Sequence, residues 1–357
     1  MRAKSYLEDL MYGRKRSLLG EALLVLLSLL YNAIIRLRNA CYWFHIFTRR
    51  ELPCPVISVG NITLGGTGKT PAVIQIAGLM HAKKRHPVVI SRGYGRKDET
   101  EFMVVSNGRS ILVDARTGGD EPLLIALKLP GVPVVVGRNR FRAGLEAIRQ
   151  FAPDIAVLDD GFQHIQLRRT LDLVLVDARD PFGNGRLFPA GILREPIGSL
   201  KRAHAVLITN SGTAGDVKAL KDAIKRNTNA RIFTSHPAPL DLMDCSSSET
   251  KPLSALNGSK VLAFSGIARP GSFTSLLRSL GAIIAGECTY PDHHEFTRSD
   301  LAEIFRKAAD EKVTMIVTTE KDAIRLRDIR PGGIWALRIE LAMDEREAWE
   351  DFLLKNI

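Results

Sequence analysis

A glycine-rich run at residues 65–70, GGTGKT, carries the clearest chemistry in this 357-residue sequence. It lies within PVISVGNITLGGTGKTP, between a β-branched run at residues 56–59 and a helical pattern that begins near Lys69. Glycines let backbone N–H groups converge on phosphate oxygens, and a helix N-terminus adds partial positive charge. Lys69 would then reach the β- and γ-phosphates of a nucleotide, and Thr70 would give Mg²⁺ an oxygen ligand.

The loop departs at one position from the strict pattern G-x-x-x-x-G-K-[ST], because Thr63 stands where a glycine is expected. Gly65 and Gly66 can make the turn in a different way. A glycine-rich turn that binds no ligand is the alternative interpretation. The strand before the run and the helix after it favour nucleotide binding.

The motif IAVLDDGFQH, residues 155–164, ends an apolar run with two acids, Asp159 and Asp160. This pattern places carboxylates at the carboxyl end of a predicted strand, where an acid of phosphate-loop enzymes holds the Mg²⁺ shell. Strands also end in Asp for turn chemistry, so the motif gains its weight from the phosphate loop beside it.

Two further motifs combine acids with histidines. In GGDEP, residues 118–122, Asp120 and Glu121 stand at a loop-to-helix junction, where acids cap helices; alternatively, Asp120 accepts the proton of an attacking hydroxyl. In YPDHHEF, residues 290–296, the consecutive Asp292, His293 and His294 cannot all face one metal ion without an unusual loop. This spacing favours an acid–base or orienting role.

Arginines follow two of the predicted strands. SRGYGR, residues 91–96, contains Arg92, and GRNRFR, residues 137–142, contains Arg140. Arginines at strand carboxyl ends can fork onto phosphates or carboxylates. Solvated surface charge is the alternative interpretation.

The elements that position these motifs alternate between strands and helices after residue 50. Short β-branched runs predict buried parallel strands at residues 56–59, 88–91, 132–136, 155–159, 173–177 and 205–209. Helical patterns lie between them at residues 69–84, 120–127 and 138–150. This alternation predicts a layered α/β fold with right-handed crossovers.

A second series of elements follows a Gly/Pro-rich stretch at residues 181–196. Its predicted strands are residues 231–234, 260–265, 282–288, 314–319 and 334–338, and its predicted helices are residues 216–225, 271–280, 298–311 and 320–327. We therefore predict a phosphate-loop lobe at 46–205 and a smaller α/β lobe at 206–339. The terminal segment 340–357 is predicted to pack back on the first lobe, and ligands should bind between the lobes.

Residues 1–45 form a basic and apolar N-terminal segment. The first 50 residues hold nine Lys/Arg and three acids, in a chain of formal net charge +11. The run LLGEALLVLLSLLYNAII at residues 18–35 is interrupted and slightly short of the about 20 residues of a spanning helix, and no clean cleavage site follows it. A helix at a membrane surface is favoured; a secretory signal, a spanning helix and a helix buried in the protein's own core are the alternatives.

The composition excludes some classes of protein. With 45% hydrophobic and 25% charged residues the chain is globular rather than disordered, and its four cysteines lack metal-ligand spacing, which predicts reduced thiols in the cytosol. The basic N-terminus could contact nucleic acid or anionic lipid. Its apolar neighbours favour an anionic membrane surface, so we expect no nucleic acid and infer no obligate protein partner.

Taken together, the motifs resemble the tetraacyldisaccharide 4'-kinase family of lipid A biosynthesis. The resemblance is carried in order by VGNITLGGTGKTP, SRGYGR, GDEP, GRNR, LDDGFQH, LFPAGILREP, DHHEFT and TEKDAIRL, over residues 59–326. Thr63 is not a departure from this family's own loop. The resemblance implies transfer of the ATP γ-phosphate, with Mg²⁺, to the 4'-hydroxyl of a tetraacyl glucosamine disaccharide 1-phosphate, at the cytoplasmic face of the inner membrane.

The resemblance also implies roles for the matched residues. Asp120 would act as general base, tuned by His293 with Asp292 nearby. The catalytic centre would be lined by Asp159, Asp160 and His164. The substrate and its phosphate would be held by Arg92, Arg140, Arg194 and Glu195. Metal contacts would come from Thr70 and Glu121. Nucleotide contacts would come from Asn61, Gly65, Gly66, Thr67, Gly68, Lys69 and Thr70.

A membrane-tethered nucleotide switch that binds a partner protein is the alternative function. A switch needs few charged motifs outside its phosphate loop. The dense Asp, His and Arg motifs of this chain therefore favour the enzyme.

Overall fold

The structure, a computed structural model, describes residues 17–93, 96, 102–213, 215–247 and 249–357. Residues 1–16 of the predicted N-terminal segment and residues 94–95 of the SRGYGR motif lie outside the described residues.

The described strands join into one continuous sheet that serves both lobes. The strands are β1 Val56–Asn61, β2 Pro87–Ser91, β3 Met103–Asn107, β4 Pro133–Val136, β5 Ile155–Asp159, β6 Leu171–Asp177, β7 Ala205–Thr209, β8 Arg231–Asp244, β9 Thr250–Pro252, β10 Lys260–Ser265, β11 Ile283–Thr289, β12 Met315–Thr319 and β13 Ile334–Met343. Their spatial order is β11-β10-β12-β13-β8-β7-β6-β1-β5-β2-β4-β3, and β9 pairs with β8. The first lobe is parallel from β8 to β4 and closes with the antiparallel edge strand β3.

Helices cover both faces of this sheet. They are α1 Leu18–Trp43, α2 Lys69–Ala82, α3 Ala115–Gly118, α4 Asp120–Lys128, α5 Arg140–Phe151, α6 Val217–Lys225, α7 Pro270–Ser279, α8 Arg298–Asp310, α9 Glu320–Leu326 and α10 Arg346–Lys355. Strands β1, β2 and β5 are buried along their whole length, because β-branched side chains fill both faces of a sheet that is covered on both sides. The predicted α/β class with two lobes and an apolar N-terminal helix is confirmed.

The helices α2 and α5 pack on opposite faces of the first lobe. Val73 and Ile76 of α2 share a core with Ile57 and Val59 of β1, whereas Ala143 of α5 packs on the other face. The alternation along β1 therefore places one helix on each side. All parallel strands of the lobe run the same way, so β1, β5, β6 and β7 end at one edge of the sheet. Ligands of open α/β sheets bind at this carboxyl edge.

Two long strands connect the lobes. Residues 231–234 of β8 pair in parallel with β7, and its later residues pair antiparallel with β13. The chain thus leaves the first lobe within β8, near Ser235, while the boundary predicted after residue 205 falls at the start of β7, which pairs with β6. The strands predicted at residues 231–234 and 334–338 are shorter than these two strands, because the mostly half-buried second half of each lacks a continuous apolar run.

The terminal helix α10 packs on the first lobe. Trp349 and Leu353 are fully buried in the core that contains α2, and the indole of Trp349 donates to Gln75 Oε1 at 3.0 Å. The rings of Trp349 and Phe233 of β8 meet edge to face at 5.0 Å. Residues 340–343 of the predicted terminal segment belong to β13, and the helix begins at Arg346.

Candidate active site

The phosphate loop runs from the end of β1 to the start of α2. Gly65 and Gly68 have φ values of 99° and 87°, a left-handed conformation that favours glycine. Gly68 is the N-cap of α2 and gives it no side-chain cap, so the first N–H groups of the helix remain available to an anion. A Cβ at Gly65 or Gly66 would meet no described atom within 4 Å, so this side of the loop is open.

The opposite side of the loop is fixed by hydrogen bonds. Asn61 at the end of β1 donates from Nδ2 to Thr67 Oγ1 at 3.0 Å, and Thr209 at the end of β7 donates from Oγ1 to the Thr67 carbonyl at 2.9 Å. Thr70 is buried in the first turn of α2. The loop is therefore held by two strand ends, which is a preorganised arrangement for a phosphate.

The acidic end of β5 lies beside this loop. Val59 of β1 pairs with Asp159, and Asp160 Oδ1 lies 3.7 Å from Lys69 Nζ. Arg194 Nη1 donates to both oxygens of Asp160, at 2.8 and 3.0 Å, and to Asn61 Oδ1 at 3.2 Å. Although burial opposes ionisation, Lys69 and Arg194 hold the pKa of Asp160 at about 2. Asp160 therefore stays charged and orders the lysine of the loop.

Asp159 behaves differently from its neighbour. Its side chain is buried; Oδ2 accepts from Ser91 Oγ at 2.8 Å, and Oδ1 has no hydrogen-bond partner among the described residues. Burial, together with the charges of Glu121 and Asp160, raises its pKa to about 6. An unpartnered buried carboxylate oxygen among other acids favours a proton or a cation.

The acids of GGDEP lie in the first turn of α4, where the second lobe reaches them. Gly119 has φ 92° and precedes the helix; Asp120 and Glu121 open it. Arg325 Nε donates to Asp120 Oδ2 at 2.7 Å, His293 Nδ1 lies 3.3 Å from the same oxygen, and Lys321 forms an ion pair with Glu121. The sequence predicts these acids as helix caps; alternatively, Asp120 is predicted as a base and Glu121 as a metal contact. In the structure both contact basic side chains of the second lobe.

His293 belongs to the loop between β11 and α8. Asp292 Oδ2 lies 4.0 Å from His293 Nε2, so the histidine has an acid near each ring nitrogen. The hydrogen bond with Asp120 raises the pKa of His293, against the effect of burial. His294, in contrast, stacks on Tyr290 and contacts Asp300 at 3.1 Å within its own lobe. Of the two histidines in the DHH sequence, only His293 therefore contacts an acid of the first lobe.

Arg140, at the start of α5, lies close to Asp159 and Asp160 at the end of β5. Asn139 caps α5 and places Arg140 at its first residue, where the side chain is 6% exposed. Burial is the main cause that lowers the pKa of Arg140 to about 10; Asp160 and Asp159 oppose the shift, and Arg92 and Arg194 add to it. Arg140 Nε has no hydrogen-bond partner in the part of the chain that the structure describes. A buried guanidinium with an unpartnered N–H beside other arginines favours an anion.

The two remaining candidates have different surroundings. Burial lowers the pKa of His164 to about 4, so its ring is neutral at pH 7, and its buried Nε2 meets no partner within the described ranges. Glu195 is completely buried and pairs with Arg202 at 2.8 Å and with Arg38 of α1 at 3.4 Å. These contacts make Glu195 an anchor for the N-terminal helix.

Helix α1 lies on the protein along one side only. Ser28 Oγ donates to the Leu187 carbonyl at 2.9 Å, and Tyr31 Oη donates to the Arg194 carbonyl at 3.0 Å. The other side presents large apolar residues to the outside: Leu18, Leu19, Leu23, Leu26, Leu27, Leu29, Leu30, Ile34 and Leu37. Only 17% of its most apolar 18-residue window is buried, and its length and composition are sufficient to cross a membrane. This exposure argues against the interpretation as a core helix.

Sequence reasoning missed Lys321 and Arg325 as site residues. Both lie in the TEKDAIRL motif, and their spacing of four residues puts them on one face of α9. That spacing was the available signal, although it does not reveal which acids the two cations meet.

Comparisons with known proteins identify relatives of this chain. The family described as Tetraacyldisaccharide-1-P 4'-kinase matches residues 20–357. The tetraacyldisaccharide 4'-kinase of Syntrophus aciditrophicus is 41% identical over 344 residues, covering 93% of this chain and 92% of its own length. That of Anaeromyxobacter sp. (strain Fw109-5) is 41% identical, covering 99% and 96%. The crystal structure of LpxK from Aquifex aeolicus in complex with ATP is 32% identical, with a TM-score of 0.77, and covers 94% of this chain and 99% of that one.

Proposed function

The chain belongs to the tetraacyldisaccharide 4'-kinase family, and we propose that it transfers the γ-phosphate of ATP to the 4'-hydroxyl of a tetraacyl glucosamine disaccharide 1-phosphate, with Asp120 as general base. The observation that carries this proposal is the convergence, at one sheet edge, of the phosphate loop, the acids of β5 and the Asp120–His293 contact between the lobes. A kinase needs these parts in one place: a phosphate cradle, charge neutralisation and a proton acceptor.

ATP fits the loop between β1 and α2. Backbone N–H groups from residues 65–70 would surround its phosphates, and the uncapped N-terminus of α2 favours their negative charge. Lys69 Nζ would bind the β- and γ-phosphates, since Asp160 already directs it toward the cleft. A structural relative is in complex with ATP, which supports the same nucleotide here.

The donor set also fits a magnesium ion that shares its shell with phosphate. Among the described residues no group of three His, Cys, Asp or Glu is placed to hold a metal ion alone. Mg²⁺ in kinases takes one or two carboxylates and completes its shell with phosphate oxygens and water. Thr70 and Glu121 would contribute, and the unpartnered Oδ1 of Asp159 suits the same ion. When bound, Mg²⁺ supplies neutralisation of the charge that develops on the phosphates.

Asp120 has the environment of a proton acceptor. His293 and Arg325 lower its pKa below the ordinary value, although burial opposes them, so the carboxylate is ionised at neutral pH. A base of this strength suffices for phosphoryl transfer, whose loose transition state needs little proton removal before attack. The proton of the 4'-hydroxyl would pass to Asp120. His293, which contacts the same carboxylate, would stabilise the negative charge of Asp120 before this transfer.

A cluster of three arginines, Arg92, Arg140 and Arg194, would hold the anionic substrate. Arg140 has an unpartnered buried N–H among the described residues, and Arg92 and Arg194 act on its pKa. Repulsion between such cations is relieved when an anion binds. The substrate carries a phosphate, which suits this cluster.

Helix α1 would place the site at the cytoplasmic face of the inner membrane. Its exposed leucines would enter the lipid, and its contacts with Leu187 and Arg194 join it directly to the segment that forms the substrate side of the cleft. A cavity of about 410 Å³ lies between α1 and residues 185–197, lined by Leu29, Leu187, Leu193 and others. An apolar cavity of this kind next to Arg194 can accommodate acyl chain while the sugar stays in the polar cleft.

The direct test is a product assay with the purified full-length chain, ATP labelled in its γ-phosphate, Mg²⁺ and the tetraacyl disaccharide 1-phosphate in detergent micelles. We expect a labelled bisphosphorylated lipid whose new phosphate lies at the 4'-position, established by mass spectrometry and NMR. ADP release without a labelled lipid, stimulated by a protein partner, would instead support a nucleotide switch.

The membrane assignment is tested by a triple substitution on the exposed side of α1, Leu26→Asn with Leu30→Asn and Leu37→Asn. These side chains are 63%, 59% and 67% exposed, so the folded protein loses little packing. Each leucine contributes about 1.5–3 kcal/mol when buried in lipid, so three of them contribute at least about 4.5 kcal/mol, and we expect binding to anionic phospholipid vesicles in co-sedimentation to weaken by at least about 10³-fold.

The control replaces three exposed leucines outside α1, Leu112→Asn with Leu145→Asn and Leu240→Asn, which are 52%, 41% and 40% exposed. This control should bind vesicles as the wild type does. Equal binding by the α1 variant and the control would show that α1 is not the membrane contact.

A further inference from the structure

We propose that Arg325 is a positioning residue for the reaction: it orients the Asp120 carboxylate and joins the second lobe to the base of the first. This inference rests on the proposed function, because it assigns the geometry of the base named there. Arg325 lies on α9 and Asp120 on α4, which are 205 residues apart in the sequence.

Each nitrogen of the Arg325 guanidinium has a polar partner. Nε donates to Asp120 Oδ2 at 2.7 Å, and Nη1 donates to Asp322 Oδ1 at 2.8 Å and to the Gly266 carbonyl at 2.9 Å. Nη2 lies 3.3 Å from His293 Nδ1. The side chain is 4% exposed. A planar fork with this many fixed partners has one orientation, so it transmits the position of the second lobe to Asp120.

Asp322 supports the arginine from behind. It is completely buried, and its Oδ2 accepts from the Gly266 N–H at 3.1 Å and from Thr319 Oγ1 at 2.7 Å. A Cβ at Gly266 would lie 3.2 Å from Asp322 Oδ1, 3.1 Å from the Pro291 carbonyl and 3.3 Å from the Cβ of His294. The strand end after β10, helix α9 and the His293 loop therefore fit together closely around one guanidinium.

The described contacts to the base share one oxygen. Arg325 and His293 both approach Oδ2 of Asp120, so in the described part of the chain Oδ1 is the oxygen left to accept the proton of the sugar hydroxyl. His293 Nδ1 donates to Asp120 when it carries a proton and accepts from Arg325 when it does not, because one nitrogen cannot do both. Arg325 therefore keeps Asp120 oriented in either state of the histidine.

A purely structural role is the competing explanation, since the neighbouring Lys321–Glu121 ion pair also joins α9 to α4. The two explanations differ in which kinetic constant changes and in what restores it. Loss of orientation at Asp120 lowers kcat while both substrates still bind, and a small cation that occupies the emptied guanidinium site restores part of kcat. Loss of attachment between the lobes alone weakens substrate binding, and a small cation in solution does not restore it.

The test compares Arg325→Ala and Arg325→Lys with the exposed Arg327→Ala at the end of the same helix. For Arg325→Ala we expect kcat to fall by about 100-fold, the loss typical of a misplaced catalytic group, with KM for ATP within about two-fold of wild type. Guanidinium ion at sub-denaturing concentration should restore part of kcat. Arg325→Lys should retain part of kcat, because one ammonium group can replace the contact with Asp120 but not the whole planar fork, while Arg327→Ala should match wild type throughout.

Asp322→Asn provides a second variant in case Arg325→Ala folds poorly, because it retains the arginine and removes its support. We expect a reduced kcat with unchanged ATP affinity. A wild-type kcat in Arg325→Ala, or a loss of activity that appears in KM and is not rescued by guanidinium ion, would overturn the proposal. Full activity of Asp120→Asn would overturn the role of Asp120 as base on which this inference rests, whereas an inactive Asp120→Asn beside a fully active Arg325→Ala would overturn only the role of the arginine.

Discussion

Substitution of Lys69 by alanine should reduce kcat/KM for ATP by about 10³-fold, the range observed when one preorganised charge-stabilising group is removed from a transition state. The ammonium group is 17% exposed and lies 3.7 Å from Asp160, at the N-terminus of α2 where the loop amides converge. No other described lysine lies in the loop, and Arg194 is already bound to Asp160. The variant should therefore bind ATP more weakly in calorimetry and form almost no bisphosphorylated lipid.

The control for this prediction is Lys83→Ala, which removes a lysine from the other end of the same helix. Lys83 is 48% exposed and its nearest acid, Glu350, lies 3.7 Å away. An exposed ion pair of this kind contributes little, so turnover and ATP binding should stay near wild type. If Lys69→Ala retained wild-type affinity for MgATP, the phosphate loop would not be the nucleotide site.

The phosphate loop could be predicted from the sequence because the residues that form it are close together in the chain. The strand at residues 56–59, the glycines with positive φ at 65 and 68 and the helix that begins at Lys69 are adjacent in the chain. The α/β class and the membership of the kinase family were likewise predicted from ordered motifs and are confirmed. In each case a short segment carries its own geometric requirement.

The partners of the site could not be predicted in this way. Asp120 meets Arg325 across 205 residues, Glu121 meets Lys321 across 200, and Arg38 meets Glu195 across 157. The first two pairs depend on how β8 and β13 turn the second lobe against the first, and neither strand shows a sequence signal for the change of partner strand. The third pair depends on how α1 packs on the first lobe. Residue type indicated that each side chain was charged. The fold alone decides which opposite charge it meets.

Glu195 illustrates the same limit, because its sequence motif does not reveal which charged residues it meets. The LFPAGILREP motif places this acid beside Arg194, and the resemblance implies a role in holding substrate. In the structure the carboxylate is buried between Arg202 at 2.8 Å and Arg38 of the N-terminal helix at 3.4 Å. Motif membership predicted that the residue matters, while the burial and the two ion pairs indicate how.

Substitution of Asp120 by asparagine should lower kcat by about 10³-fold while ATP binding survives, because a general base contributes about 10²–10⁴-fold and the amide, although isosteric with the carboxylate, cannot accept the proton. Asp120 is the first residue of α4 and is not one of the loop residues that would bind the nucleotide, so calorimetry should give a wild-type affinity for MgATP. Asp328→Asn, an exposed acid beyond the end of α9, should leave turnover unchanged. Rapid formation of the bisphosphorylated lipid by Asp120→Asn would exclude the carboxylate as base.

The pH dependence gives the same hypothesis a second measurement. His293 and Arg325 hold the pKa of Asp120 below its ordinary value, so the base is ionised at neutral pH and loses its function only as the pH falls through that lowered pKa. Replacement of His293 by alanine removes one of these partners, so the pKa of Asp120 rises and the acid limb of kcat should move to higher pH. In Asp120→Asn the limb due to this group should disappear from the residual activity. A wild-type acid limb in both variants would mean that another group accepts the proton, and the contact between the lobes would then serve attachment alone.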